Sequence, residues 1–186
     1  MAGSWGLRNA SKPDSQDICF VPDGNYAEMI RRYIDERPEA EGEEMRKATE
    51  PGDFLDLSGN VIGMHKGIIH YTIGQHKRLG QAFGEPRYVC AIDAVANTVT
   101  LGGADDVFSS FVKVSDFNWI SGEAPEGEIR CKARLRYKQK EQWATVKPAG
   151  SNVEIVFDEP QRAVTPGQAA VLYDGDIVLG GGTIVR

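Results

Sequence analysis

Between Ile129 and Tyr137 the chain alternates without interruption. Ile129, Cys131, Ala133, Leu135 and Tyr137 are apolar, Arg130, Lys132, Arg134 and Arg136 stand between them, and Lys138 and Lys140 extend the basic set. Successive side chains of a strand point to opposite faces. The pattern therefore predicts a strand over residues 128–137, with one face in a core and a row of six cations on the other. A helix is excluded, because its apolar stripe does not recur at every second residue.

Similar segments surround it. Strands are expected over 111–120, 141–148, 151–157, 169–173 and 177–185, separated by Pro125-Glu126-Gly127, Gly150-Ser151-Asn152, Pro166-Gly167 and Asp174-Gly175. Short strands at this spacing predict an antiparallel β-barrel or sandwich over residues 108–186.

Upstream, one helix stands out. Tyr26, Met29, Ile30, Tyr33 and Ile34 form the stripe of an amphipathic helix, with Asp23 or Asn25 to cap it and Pro38 to stop it. Residues 39–50 are acidic and read as an exposed loop or short helix. Strands over 53–57 and 61–64 flank Ser58-Gly59-Asn60, and a second hairpin turns at Ala96-Asn97. Between them, KGIIHYTIGQHKRLGQAFGEP is expected to be a strand running into a Gly-rich basic loop. The expected fold is thus mainly β with one helix: a β-rich central domain over residues 20–107, then the barrel.

Charge narrows the partners. The 186 residues carry a formal net charge of −6, yet residues 128–148 hold seven basic and two acidic side chains. Segregating cations costs self-repulsion, so it suggests a polyanionic partner, although a solvated face or a charged edge blocking aggregation has the same look. Lys66, Lys77 and Arg78, among glycines, histidines and Tyr71, fit a segment that tracks a phosphate backbone. His65, His70 and His76 match no usual zinc spacing, so no metal site is expected. No stretch approaches the ~20 apolar residues of a membrane span, the N-terminus lacks a signal-peptide run, and three cysteines make a disulfide framework unlikely. These features predict a cytoplasmic protein.

Cys90 and Cys131 alternate with apolar neighbours and read as core, whereas Cys19 sits in the polar stretch KPDSQDICFV. A reactive thiol needs cations nearby; Lys12 is one, but Asp14 and Asp17 oppose it. The local residues leave Cys19 open between a buried thiol and a displayed one.

KPDSQDICFV, the GxHxGIxxYTIGQxKxLG block from Gly63 to Gly80, and FDEPQRAVTPGQAAVLYDGDIVLGGGTI from Phe157 to Ile184 resemble the tRNA-specific 2-thiouridylases, formerly called tRNA (5-methylaminomethyl-2-thiouridylate)-methyltransferases. The resemblance implies a C-terminal piece of an ATP-dependent enzyme that exchanges O2 of the wobble uridine for sulfur. Residues 1–19 are then the tail of an N-terminal PP-loop domain, whose SGGxDS loop binds ATP and which this sequence does not contain. By the same resemblance Cys19 is the second catalytic cysteine, able to pair with a first one in that domain. The implied partners are the tRNA anticodon stem-loop and a persulfide-donating protein, and the fragment alone is expected to be inactive. RLRYKQ matches the family's tRNA-contacting RYRQ block, which makes Arg136, Tyr137 and Lys138, with Lys132, Arg134, Lys66, Lys77 and Arg78, the expected tRNA contacts. This chain has His76-Lys77-Arg78 where the family has Arg-Lys-Gly, and Lys138 where it has Arg. Both changes keep charge, but lysine lacks arginine's fork. A non-catalytic RNA- or protein-binding β module is the alternative that the residues allow.

Overall fold

The computed structural model describes residues 26–37, 45–137 and 139–185. Cys19, Lys138, the capping candidates Asp23 and Asn25, and Pro38 lie outside the described residues.

Helix α1 (Tyr26–Asp35) forms where the stripe predicts a helix; of the stripe only Ile34 is fully buried, joined by Ala27 from outside it, while Tyr26, Met29 and Ile30 are part-buried. Tyr33 is on the rim, half-exposed, with the Arg37 guanidinium 4.4 Å above its ring. A short helical turn, 45–47, leads into the first sheet. Among the described residues no helix is long and apolar enough to cross a membrane.

The first sheet holds β1 (Gly52–Leu55), β2 (Val61–His65), β3 (Tyr88–Asp93) and β4 (Thr98–Gly102) in the order β2-β1-β4-β3. Both expected hairpins form. The Asp56 carboxylate accepts from the Ser58 and Asn60 amides, each at 2.9 Å, which shapes the first turn around Gly59 at φ 85°. The hairpins join through a parallel β1–β4 pairing, Phe54 opposite Val99, which no local pattern announces.

The expected strand in KGIIHYTIGQHKRLG is absent. A 3₁₀ turn, Ile68–His70, and a hydrogen-bonded loop replace it and fold over the sheet. The apolar residues that suggested a strand are loop anchors instead: Ile68, Tyr71 and Leu79 are buried against Phe54, Val89, Val99 and Leu101. The Tyr71 hydroxyl donates to the Leu79 carbonyl at 3.2 Å, so the polar tip of a buried ring is satisfied.

The second sheet is a closed barrel of β5 (Phe108–Trp119), β6 (Ile129–Arg134), β7 (Gln142–Ala149), β8 (Asn152–Arg162), β9 (Ala169–Asp174) and β10 (Ile177–Val185), ordered β10-β5-β8-β7-β6-β9. Closure removes exposed edges. Val112, Val114, Cys131, Ala133, Val146, Ile155, Phe157, Leu172 and Ile184 fill its interior. The glycines near the C-terminus allow strand contact. A Cβ on Gly180 would lie 2.5 Å from the Asn118 carbonyl oxygen, and one on Gly182 would lie 2.6 Å from that of Ser115. This run is spent on close packing.

Candidate nucleic-acid interface

Strand β6 keeps the predicted alternation only to Arg134. Beyond it Leu135 is still buried, but the chain bends and Gln142 of β7 comes opposite Ala133. The expected row of six cations is therefore broken: Arg136 lies on the β6–β7 turn, off the strand. Two of the three strand cations are also matched by carboxylates. Arg130 grips both oxygens of Asp158, at 2.7 Å to Oδ1, and donates to Thr145 Oγ1 at 3.3 Å. That fork holds the Asp158 carboxyl below the usual range. Arg134 meets Glu141 Oε1 at 3.0 Å. Asp158 is 28 residues away in sequence, so its presence opposite Arg130 follows from the β7–β8 pairing and could not be read from β6.

The β6–β7 turn has a different setting. The Gln139 amide closes it on the Arg136 carbonyl at 3.1 Å. Arg136 donates to the Ala163 carbonyl and, at 3.2 Å, to Thr165 Oγ1. Gln139 Nε2 donates to Gln161 Oε1. Tyr137 is 77% exposed. The segment that receives these bonds is itself held from the other side. Arg162 reaches the Gly74 carbonyl at 3.5 Å and lies 5.8 Å over the Tyr88 ring, beside which His76 sits at 5.1 Å. A Cβ on Gly74 would come within 2.6 Å of the Ala163 Cβ. Three stretches far apart in sequence thus converge: 72–78, 136–139 and 161–165.

Lys77 and Arg78 are exposed on the first of these stretches, Arg78 with a left-handed backbone at φ 59°. Gln75 stiffens the loop by accepting from the Thr72 amide at 3.0 Å and donating to the Lys77 carbonyl at 2.9 Å. Lys66 is exposed on another part of the sheet, where it and Arg31 act on His70. Arg136 and Tyr137 lie on the β6–β7 turn that is bonded to 161–165, Lys77 and Arg78 are exposed further along the loop that meets 161–165 through Gly74, and Lys132 and Arg134 are on β6.

The histidines serve separate purposes. His65 is buried between Gly67 and Asn97, His70 accepts from Arg31 at 3.2 Å, and His76 stacks near Tyr88. Cys131 is buried as expected; burial and then Asp174 push its thiol up to about 11, against the opposing pull of Arg130. Cys90 is only part-buried, and burial followed by Asp106 raises it too.

Two further aromatics, neither among the expected tRNA contacts, lie beside the β6 cations. Trp143 on β7 is half-exposed, with Arg130 and Lys132 each 5.6 Å from its ring centroid. Tyr173 on β9 carries Arg134 at 5.0 Å. The signal was present in the alternation of β7, where Trp143 falls on the polar phase between buried Ala144 and the turn.

Residues 43–103 match the tRNA methyl transferase PRC-barrel domain, and residues 109–184 match the aminomethyltransferase beta-barrel domain. The chain is 50% identical over 184 residues to the tRNA-specific 2-thiouridylase MnmA of Acetivibrio thermocellus, covering 98% of this chain and 48% of that protein. It is 49% identical over 187 residues to tRNA-specific 2-thiouridylase MnmA 1 of Thermoanaerobacter sp., and 43% identical over 187 residues to the Clostridioides difficile protein. Each of these alignments covers all of this chain, and 48% and 49% of the relatives respectively. The chain spans about half the length of the curated relatives it matches.

Proposed function

The chain belongs to the tRNA-specific 2-thiouridylase family, and on that premise we propose that it is the C-terminal, tRNA-binding part of an ATP-dependent sulfurtransferase acting on the wobble uridine. In this reading Cys19 is the second catalytic cysteine, transferring or releasing persulfide sulfur and pairing with a first cysteine. On the same reading ATP and the first cysteine are held by a further part of the enzyme, this chain spanning 48% of the Acetivibrio relative's length. Arg136, Tyr137, Lys138, Arg134, Lys132, Lys66, Lys77 and Arg78 contact tRNA, a persulfide-carrying protein supplies sulfur, and the work is done in the cytoplasm. Attack of sulfur on C2 needs an adenylated O2 as leaving group, which is why the chain alone is inactive. An anticodon loop suits such chemistry because its bases unstack at little cost.

The observation that carries this reading is the convergence of 72–78, 136–139 and 161–165 through Arg136, Gln139 and Arg162. The QRAVTPGQ segment is bonded both to the YTIGQ loop, 88 residues away, and to Arg136 and Gln139 of the β6–β7 turn. Tyr137 on this turn is 77% exposed, and Lys77 and Arg78 are exposed on the loop that follows Gly74.

Two measurements test it. The 186-residue chain should bind tRNA with an affinity that falls steeply with salt, and Arg136→Ala with Tyr137→Ala should weaken binding at least tenfold. In the enzyme of full relative length, Cys19→Ser should abolish tRNA thiolation while leaving tRNA binding intact. Thiolation that survives Cys19→Ser would leave only a non-catalytic binding module.

A further inference from the structure

We propose that the outer face of β7, β6 and β9 binds an unpaired stretch of RNA, with one base stacked on Trp143 and the adjoining phosphate held by Lys132. This deepens the tRNA-binding reading and rests on it.

The register makes the arrangement. Lys132 of β6 stands opposite Trp143 of β7 on one side and opposite Tyr173 of β9 on the other. Strands are ~4.8 Å apart, so the two rings lie roughly 10 Å from each other across the barrel surface with a lysine between them. Trp143 is 50% exposed. One exposed aromatic is ordinary on a protein surface. Two aromatics flanking a lysine, with arginines beside both rings, form the combination that a single strand recognises, flat surfaces for bases and charges for the backbone between them.

The ion pairs on this face favour a base-stacking site over a general polyanion site. Arg130 and Arg134 are committed to Asp158 and Glu141, whereas the ion pairs among the described residues leave Lys132 out. A face with much of its charge cancelled attracts bare phosphate weakly, so the aromatic rings must supply much of the affinity. Bases inside a duplex have no free face to offer an indole. The site therefore selects unpaired nucleotides, as found in a tRNA loop.

Replacing Trp5 and Trp119 by phenylalanine leaves Trp143 as the sole indole. Its emission should be quenched saturably by a ten-residue oligouridylate, and not by heparin or by a blunt RNA duplex. With the other tryptophans intact, Trp143→Ala should weaken oligouridylate binding about tenfold or more, and Trp143→Phe by no more than about threefold, since phenylalanine still stacks. Equal quenching by heparin, or oligouridylate binding unchanged in Trp143→Ala, overturns the stacking site while tRNA binding through the Arg136 corner stands. If the chain binds neither tRNA nor oligouridylate at low salt, the tRNA-binding reading falls and this site with it. Should the double phenylalanine variant fail to fold, the affinities of the Trp143 variants decide alone.

Discussion

The His65 ring bridges two hairpins: its Nε2 donates to the Asn97 carbonyl at 3.0 Å while its Nδ1 accepts from the Gly67 amide at 3.1 Å. An acceptor at Nδ1 fixes the neutral tautomer. Asn97 has a left-handed backbone at φ 54° and donates to the carbonyls of Glu50 and Pro51, so the ring locks β2, the β3–β4 turn and the entry to β1 together. His65 is thus a keystone of the first sheet.

Acid should loosen that keystone. Burial holds the His65 pKa below its ordinary 6.5, so the unfolded chain takes up the proton first. Stability should be full above about pH 7 and decline as pH falls through 6.5 toward the lower folded-state value, by at most about 1.4 kcal/mol per pH unit for one group. His70 is lowered as well, by burial and then by Lys66 and Arg31, and acts in the same direction. Urea unfolding at pH 7.5, 6.5 and 5.5 in a His70→Gln background isolates His65. Adding His65→Gln should lower stability at pH 7.5 and flatten the dependence; an unchanged slope would show that the ring does not titrate on unfolding.

Barrel closure should be sensitive at Gly182. A Cβ there meets the Ser115 carbonyl oxygen at 2.6 Å and the Val114 Cγ1 at 2.8 Å, both on β5. Gly182→Ala should cost about 1–3 kcal/mol, the usual penalty of overpacking. Gly122 has open space around it, but its φ of 86° makes it a poorer control than exposed Ser121. Ser121→Ala, which removes only a hydroxyl bonded to the Glu123 carbonyl, should change the urea midpoint far less.

Freeing Arg130 should strengthen RNA binding. Its pair with Asp158 is half-exposed on both sides, so Asp158→Asn should leave the melting temperature nearly unchanged. The released guanidinium adds a cation beside Trp143. Oligouridylate affinity should rise and its dependence on log salt should steepen. Equal slopes for the two proteins would place Arg130 outside the interface.

Thiol chemistry should separate the cysteines. Cys131 is 3% exposed with its thiol pushed up to about 11, and Cys90 is also raised. At pH 7.5 iodoacetamide should label Cys131 only after unfolding, because the thiolate is the reactive form. Under the proposed function Cys19 is the thiol labelled first. Mass spectrometry of the native, partly alkylated chain gives the order, and prior labelling of Cys131 would contradict its burial.

The amino-acid sequence determined what depends on neighbours along the chain. Alternation placed the strands, the stripe of α1 placed the helix, and glycine and asparagine placed the turns, because a backbone's local preference and the two faces of a strand are properties of a few consecutive residues. Family motifs in the sequence also identified the chain's relatives. Tertiary structure decided which charges remain available. Asp158 reaches Arg130 only because β8 lies beside β7, Arg136 leaves the cation row because closing the barrel bends the chain after Arg134, and Trp143 and Tyr173 flank Lys132 only because β9 pairs with β6. These relations link residues distant in sequence, and a side chain's partner across a sheet is set by strand order and register, which short-range periodicity does not encode.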